Sequence, residues 1–257
     1  LIGRHTLHPV EQIREWRQLD ANGRRALDDA VLEEMRRENQ AFSPLEWKAR
    51  CEGISKSLEI DATLRDIASR GSAVEYHAVD LANRSELERV LASIRSKHRI
   101  EGLLHGAGDE IAKSFDRKSD EILRTTFSGK VDGLVHLLSL TNDDPIRQIV
   151  AFSSVSGRIG GHGQTDYSLA NEAMARIVGA HRALRPDRRV TVISWPAFSE
   201  VGLAARSSAK IFLERAWQAF MTPGEGANHF VRELWADLPE AEVTICGDLA
   251  SLDLDRI

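Results

Sequence analysis

The stretch IRQIVAFSSVSGRIGGHGQTDYSLANEA, residues 146–173, decides how this chain folds. It opens on a short apolar run, crosses glycines at 157, 160, 161 and 163, and continues at helical spacing. The pattern predicts a buried strand, a tight loop and a helix, with Ser153 and Ser154 at the strand's carboxyl end. Tyr167 and Asn171 stand four apart and share one helix face. A serine hydroxyl and a phenol converging from strand end and helix can polarise and protonate a carbonyl oxygen. A free phenol titrates at roughly pH 10, so an acid useful at neutral pH needs a nearby cation. Position 171 holds asparagine, so that cation has to come from elsewhere in the chain.

Outward from this stretch, AVEYHAVDL (73–81), IEGLLHGAG (100–108), RRVTVISWP (188–196) and EVTICGD (242–248) are further short strands. Helical segments at 84–97, 118–140, 165–184 and 225–236 alternate with them. Buried strands alternating with helices predict an α/β fold, a Rossmann-like doubly wound parallel sheet with helices on both faces. Ligands in such sheets bind beyond the strands' carboxyl ends, where His105, Gly106, Ala107 and Gly108 follow one strand and the serines another. Residues 9–70 differ. They are dense in Glu, Arg, Leu and Ala, with Leu27, Val31, Leu32 and Met35, then Ile60, Leu64, Ile67 and Ala68, at helical spacing. SPLEW (43–47) reads as a helix start capped by Ser43 with Pro44 in the first turn. This region is expected to be a helical insertion packed on the main domain, or else a binding helix for a partner protein.

Composition narrows the function. At 257 residues and 42% hydrophobic, the chain is long enough for one large domain with a sizeable core. A net charge of −5 spread along the chain gives no basis for nucleic acid or an anionic membrane as main partner. Its apolar runs fall far short of a membrane span. Two distant cysteines, Cys51 and Cys246, make no disulfide framework and suit a reducing, cytoplasmic setting. The nine histidines show no metal-ligand spacing, so no metal is expected.

The missing cation is in SGKVDGLVHLL (128–138): Lys130 lies on the helix before the serine strand, 24 residues ahead of Ser154. With it, the set Lys130, Ser154, Tyr167 and Asn171 resembles the ketoreductase domains of type I polyketide and polyunsaturated fatty acid synthases. These are similar to short-chain dehydrogenases/reductases but exchange the positions of lysine and asparagine. The resemblance rests on the KVDGL helix, the FSS…G strand end and the GQxxYxxAN run, and it covers roughly residues 1–5 and 72–248. It implies that Tyr167 donates the proton to a ketone, that Ser154 hydrogen-bonds the same oxygen, and that Lys130 lowers the tyrosine pKa and contacts the nicotinamide ribose. Asn171 would position a water or the lysine.

The same resemblance implies NADPH as cofactor. Arg4 would pair with its 2′-phosphate through a planar, charge-assisted fork, and Asp80, with Leu81, would meet the adenine. Gly106, Ala107 and Gly108 would let it approach the backbone, and Pro196 would stand beside the nicotinamide. The implied substrate is a β-ketoacyl thioester on the phosphopantetheine arm of an acyl carrier protein, handled within a polyketide or fatty acid synthase alongside its other domains. Residues 199–222 match the family's lid, where Leu203, Ile211, Phe212 and Phe220 would line an acyl channel. His162 is expected near the substrate mouth.

Three departures stand beside the match. No glycine-rich turn of the GxGxxG kind occurs, so the first strand–helix unit is expected upstream of Leu1. Residues 1–257 would then form a single ketoreductase catalytic domain within a larger multidomain chain. SWPAFSEVG (194–202) replaces the family's Trp-Gly-Pro-Trp. Neither stereochemical marker is present: Glu110-Ile111-Ala112 and Ile159 occupy those places. A free-standing reductase of small carbonyls, and a reductase-like scaffold without activity, are the alternatives. The Lys/Asn exchange counts against the first, and the absent glycine turn favours the second.

Overall fold

The computed structural model describes residues 1–38, 41–202, 220–236 and 240–246. They form two compact units, Leu1–Asp80 and a second beginning at Leu81.

The first unit pairs two short parallel strands, β1 (Ile2–Gly3) and β2 (His77–Ala78), in the register Ile2↔His77. Between them in sequence run α1 (Val10–Arg17), α2 (Ala21–Glu38) and α3 (Pro44–Ser69). The start of α3 follows the expectation. Ser43 Oγ accepts from the Glu46 N–H at 3.2 Å, and the Glu46 carboxylate accepts from the Ser43 N–H at 2.6 Å, a reciprocal cap. Val31, Met35 and Ile54 are buried together, with Leu27, Trp16 and Trp47 around them. The helical spacing of residues 27–35 therefore marks the face that α2 buries.

The second unit is built on a four-stranded parallel sheet in the order β3 (Gly102–His105), β4 (Gln148–Ser154), β5 (Arg189–Trp195), β6 (Glu242–Thr244). Side chains on a strand alternate between faces. Ile149 and Ala151 of β4 therefore join a core with Leu134, Leu138, Met174 and Val178, while Val150 points into a second core with Ile193, Trp195 and Phe230. Both faces are covered, which is why Ile149, Val150, Ala151 and Phe152 of β4 are consecutively apolar. The helices are α4 (Arg84–Arg95), α5 (Asp120–Phe127), α6 (Gly133–Leu140), α7 (Ser156–Ile159), α8 (Thr165–Leu184) and α9 (Pro223–Trp235).

Two features differ from the expectation. The strands form two parallel sheets rather than one, and among the described residues β3 is an edge strand. The single helix expected over 118–140 is broken into α5 and α6 by a π-helical turn, Ser128–Asp132. An inserted residue of that kind leaves no trace in hydrophobic spacing, and π turns gather at functional sites. The fold class is nonetheless the Rossmann-like α/β arrangement that the sequence predicts.

Candidate active site

The register Ser154↔Trp195 brings the carboxyl ends of β4 and β5 level. Beyond them lies a cavity of about 190 Å³ whose walls include Lys130, Ser154, Tyr167 and Glu110. Ser154 is the last residue of β4, and its Oγ accepts from the Ser156 N–H at 3.2 Å. The chain then turns through Gly160 and Gly163, with φ of +74° and +73°, before α8 begins. A side chain is strained at such φ, and at Gly163 it would also stand 3.2 Å from the Lys113 backbone nitrogen. Tyr167 sits in the first turn of α8 and faces the cavity.

Lys130 arrives from the π turn and is 4% exposed. Its Nζ donates to the Phe152 carbonyl at 3.2 Å and stands 5.4 Å from the centre of the Tyr167 ring. Gly108 makes room for the lysine: a Cβ there would lie 2.8 Å from Lys130 Cε and 2.9 Å from Cγ. This glycine is therefore filled by the lysine stem, whereas the sequence suggests a glycine kept open for cofactor. Gly106 remains open, since a Cβ there would meet only the Phe152 ring at 3.5 Å.

Burial dominates the electrostatics of the tyrosine and the lysine. Burial pushes the Tyr167 phenol up to about 12, the Glu110 carboxylate adds to this, and hydrogen bonding from Asn171 and Ser154 opposes it. Burial alone brings the Lys130 amine down to about 8. Desolvation is the largest cause of both shifts. Asn171 lies fully buried, and its Nδ2 donates to the Tyr167 backbone carbonyl at 2.8 Å, not to Lys130.

Several groups here escape sequence reasoning. Glu110 enters the sequence argument only as a mismatch, yet its carboxylate accepts from Gln164 Nε2, and Gln164 Oε1 accepts from Ser156 Oγ at 2.9 Å. Burial raises the Glu110 pKa, while Gln164 and Lys118 hold it down. Behind Tyr167, Asp166 pairs with Lys118, each side chain 1% exposed, and accepts from Thr126 Oγ1 at 2.9 Å. Lys118 also donates to the Ile111 carbonyl at 2.9 Å, and the Lys113 N–H donates to Gly163 O at 3.1 Å. Loop 109–118 is thus strapped to the tyrosine segment. The available signal was an aspartate directly before the tyrosine, a place that α8 turns inward.

Of the remaining expected site residues, Gly106 and Pro196 line the cavity, while Ala107 does not. Leu81 packs against Gly133, and its carbonyl accepts from His136 Nδ1 at 2.9 Å. Arg4 and Asp80 belong to the first unit, each just past the carboxyl end of its strand. His162 is exposed on the glycine loop and does not line the cavity. Of the expected lid, residues 203–219, with Leu203, Ile211 and Phe212, lie outside the described residues.

The KR domain family matches residues 25–200, which take in Lys130, Ser154, Tyr167 and Asn171. The chain belongs to the KR domain family. These are the ketoreductase domains of type I polyketide synthases, oxidoreductases of the short-chain dehydrogenase/reductase superfamily. Polyketide synthase PksL of Bacillus subtilis is 33% identical over 179 residues, 67% of this chain and 4% of that protein. PksN of the same organism is 29% identical over 145 residues, 54% of this chain and 3% of that protein. This KR chain thus spans a few hundredths of the length of these relatives. The crystal structure of a ketoreductase domain from the bacillaene assembly line superposes with a TM-score of 0.66 at 26% identity, covering 74% of this chain and 47% of that one. An A1-type ketoreductase structure shares the fold, with a TM-score of 0.65 at 23% identity over 74% of this chain and 39% of the other. No described helix is long and apolar enough to cross a membrane.

Proposed function

We propose that this chain reduces a β-ketoacyl thioester, carried on an acyl carrier protein, to the β-hydroxyacyl thioester within a polyketide or fatty acid synthase. NADPH is the proposed cofactor, and when bound it would supply the hydride to the ketone carbon. The residues present suit its nicotinamide end. Gly106 presents bare backbone to the cavity, and the buried indole N–H of Trp195, another wall residue, has no partner among the described residues. Lys130 and Tyr167 would hold the adjoining ribose, and Pro196 the ring. Arg4 and Asp80 would take the 2′-phosphate and the adenine.

The observation that carries this reading is the convergence of Lys130, Ser154 and Tyr167 on one cavity. A substrate carbonyl oxygen there would accept hydrogen bonds from Ser154 Oγ and the Tyr167 phenol. As negative charge builds on that oxygen, Tyr167 gives up its proton. Lys130, protonated below about pH 8, stabilises the phenolate that forms. Asn171 braces the helix backbone at Tyr167. The whole acts as one cytoplasmic catalytic domain, with residues 9–70 as a helical insertion, residues 199–222 as lid and the other synthase domains as neighbours. The test is NADPH oxidation by the intact protein with a β-ketoacyl thioester. Tyr167→Phe is expected to lower kcat by about 100-fold or more, and an unchanged rate would overturn the mechanism.

A further inference from the structure

The position of Lys130 in its π turn has a cause outside its own helix. His105, the last residue of β3, is 2% exposed, and its Nε2 lies 3.0 Å from the Lys130 backbone carbonyl. A carbonyl oxygen only accepts, so Nε2 must carry the proton and Nδ1 must be bare. Buried Nδ1 has no partner among the described residues. An apolar side chain of similar size would avoid that penalty, so stability alone is a poor reason for a histidine here.

The π turn supplies a better reason. Within it the Gly133 N–H bonds to Ser128 O, five residues back, instead of four. That shift interrupts the regular ladder and calls for donors from outside the helix. His105 supplies one, to the carbonyl of the residue whose amine enters the cavity. Three residues on, Gly108 receives the lysine stem. The end of β3 thus grips Lys130 at its backbone and along its side chain, and Phe152 O holds the amine itself.

We propose that His105 is a positioning residue: its Nε2–H, by holding the Lys130 carbonyl in the π turn, sets where the Lys130 amine stands relative to Tyr167. The inference rests on reading Lys130 as a residue of the active site. Burial brings the His105 pKa down to about 4, the hydrogen bond to the Lys130 carbonyl opposes this and the charge of Lys130 adds to it, so over ordinary pH the ring is the neutral Nε2–H form. Among the described residues Lys130 is the charged group acting on it, and the Lys130 carbonyl is its hydrogen-bond partner.

The test uses the intact protein and two readouts besides turnover. Competitive acetylation read by peptide mass spectrometry gives the pH midpoint of Lys130, and exchange of the histidine C2 hydrogen gives that of His105. In the wild type Lys130 is expected to titrate near 8, and His105 to stay untitrated down to pH 5. His105→Gln, which can still donate, is expected to retain the Lys130 midpoint and kcat within about threefold. His105→Leu is expected to move that midpoint back toward 10.5 and to lower kcat by about 10- to 100-fold at unchanged KM. A His105→Leu protein with wild-type midpoint and kcat overturns the inference alone, and so does a wild-type His105 that titrates near 6.5. The second readout holds even where His105→Leu fails to fold. Full activity in Lys130→Met overturns the site reading and this inference together.

Discussion

Gly108→Ala isolates the fit between the β3 loop and Lys130. The added Cβ would stand 2.8 Å from Lys130 Cε, 2.9 Å from Cγ and 3.3 Å from Cδ. Carbon atoms settle at about 3.5–4.0 Å, so the stem has to retreat by roughly 1 Å. The backbone at 108 is outside the left-handed region, so alanine meets no conformational strain and the effect is steric alone. Lys130 is 4% exposed, so its stem is packed against neighbours on most sides. Overpacking of this kind costs about 1–3 kcal/mol, and a displacement of about 1 Å at a catalytic group can cost about 100-fold in kcat. Gly106→Ala is the control for stability, because its Cβ would make only a 3.5 Å contact with Phe152. Urea unfolding and steady-state kinetics are expected to show Gly108→Ala less stable by more than about 1 kcal/mol and slower by about 10- to 100-fold. Wild-type stability together with wild-type kcat in Gly108→Ala would refute the argument that this glycine houses the lysine.

Two further predictions concern the carboxylates around Tyr167. The Lys118–Asp166 pair is buried on both sides, so Lys118→Met leaves Asp166 an uncompensated buried charge and is expected to destabilise the chain by about 3–5 kcal/mol in urea unfolding. The Glu110 carboxylate disfavours a second negative charge on Tyr167, so Glu110→Gln is expected to bring the phenol pKa down from about 12. Ionisation of Tyr167 then begins at lower pH, which an absorbance titration resolves in a chain with only two tyrosines.

The parts of this fold legible in the sequence are those that depend on local pattern. Apolar runs mark β3 to β6, the Ser43–Glu46 spacing marks the start of α3, and the resemblance to the ketoreductase family marks Lys130, Ser154 and Tyr167, three residues that share the cavity. What escapes is set by distance or by backbone. The Lys118–Asp166 pair joins residues 48 apart, and the Glu110–Gln164 contact joins residues 54 apart. No periodicity records either. The π turn at Ser128–Asp132 shifts one residue within an unbroken helical pattern. The role of Gly108 is equally hidden, because a glycine in a loop looks the same whether a ligand or a neighbouring side chain fills its space. The burial that raises the Tyr167 pKa is hidden for the same reason, since desolvation depends on what surrounds the ring.

In the proposed mechanism the amine from the π turn serves the chemistry of the tyrosine. The direct measurement is NADPH consumption by the intact protein with a β-ketoacyl thioester, comparing wild type with Lys130→Met, a nearly isosteric side chain without charge. A loss of about 100-fold or more in kcat is predicted. A Lys130→Met protein that turns over at the wild-type rate would contradict it.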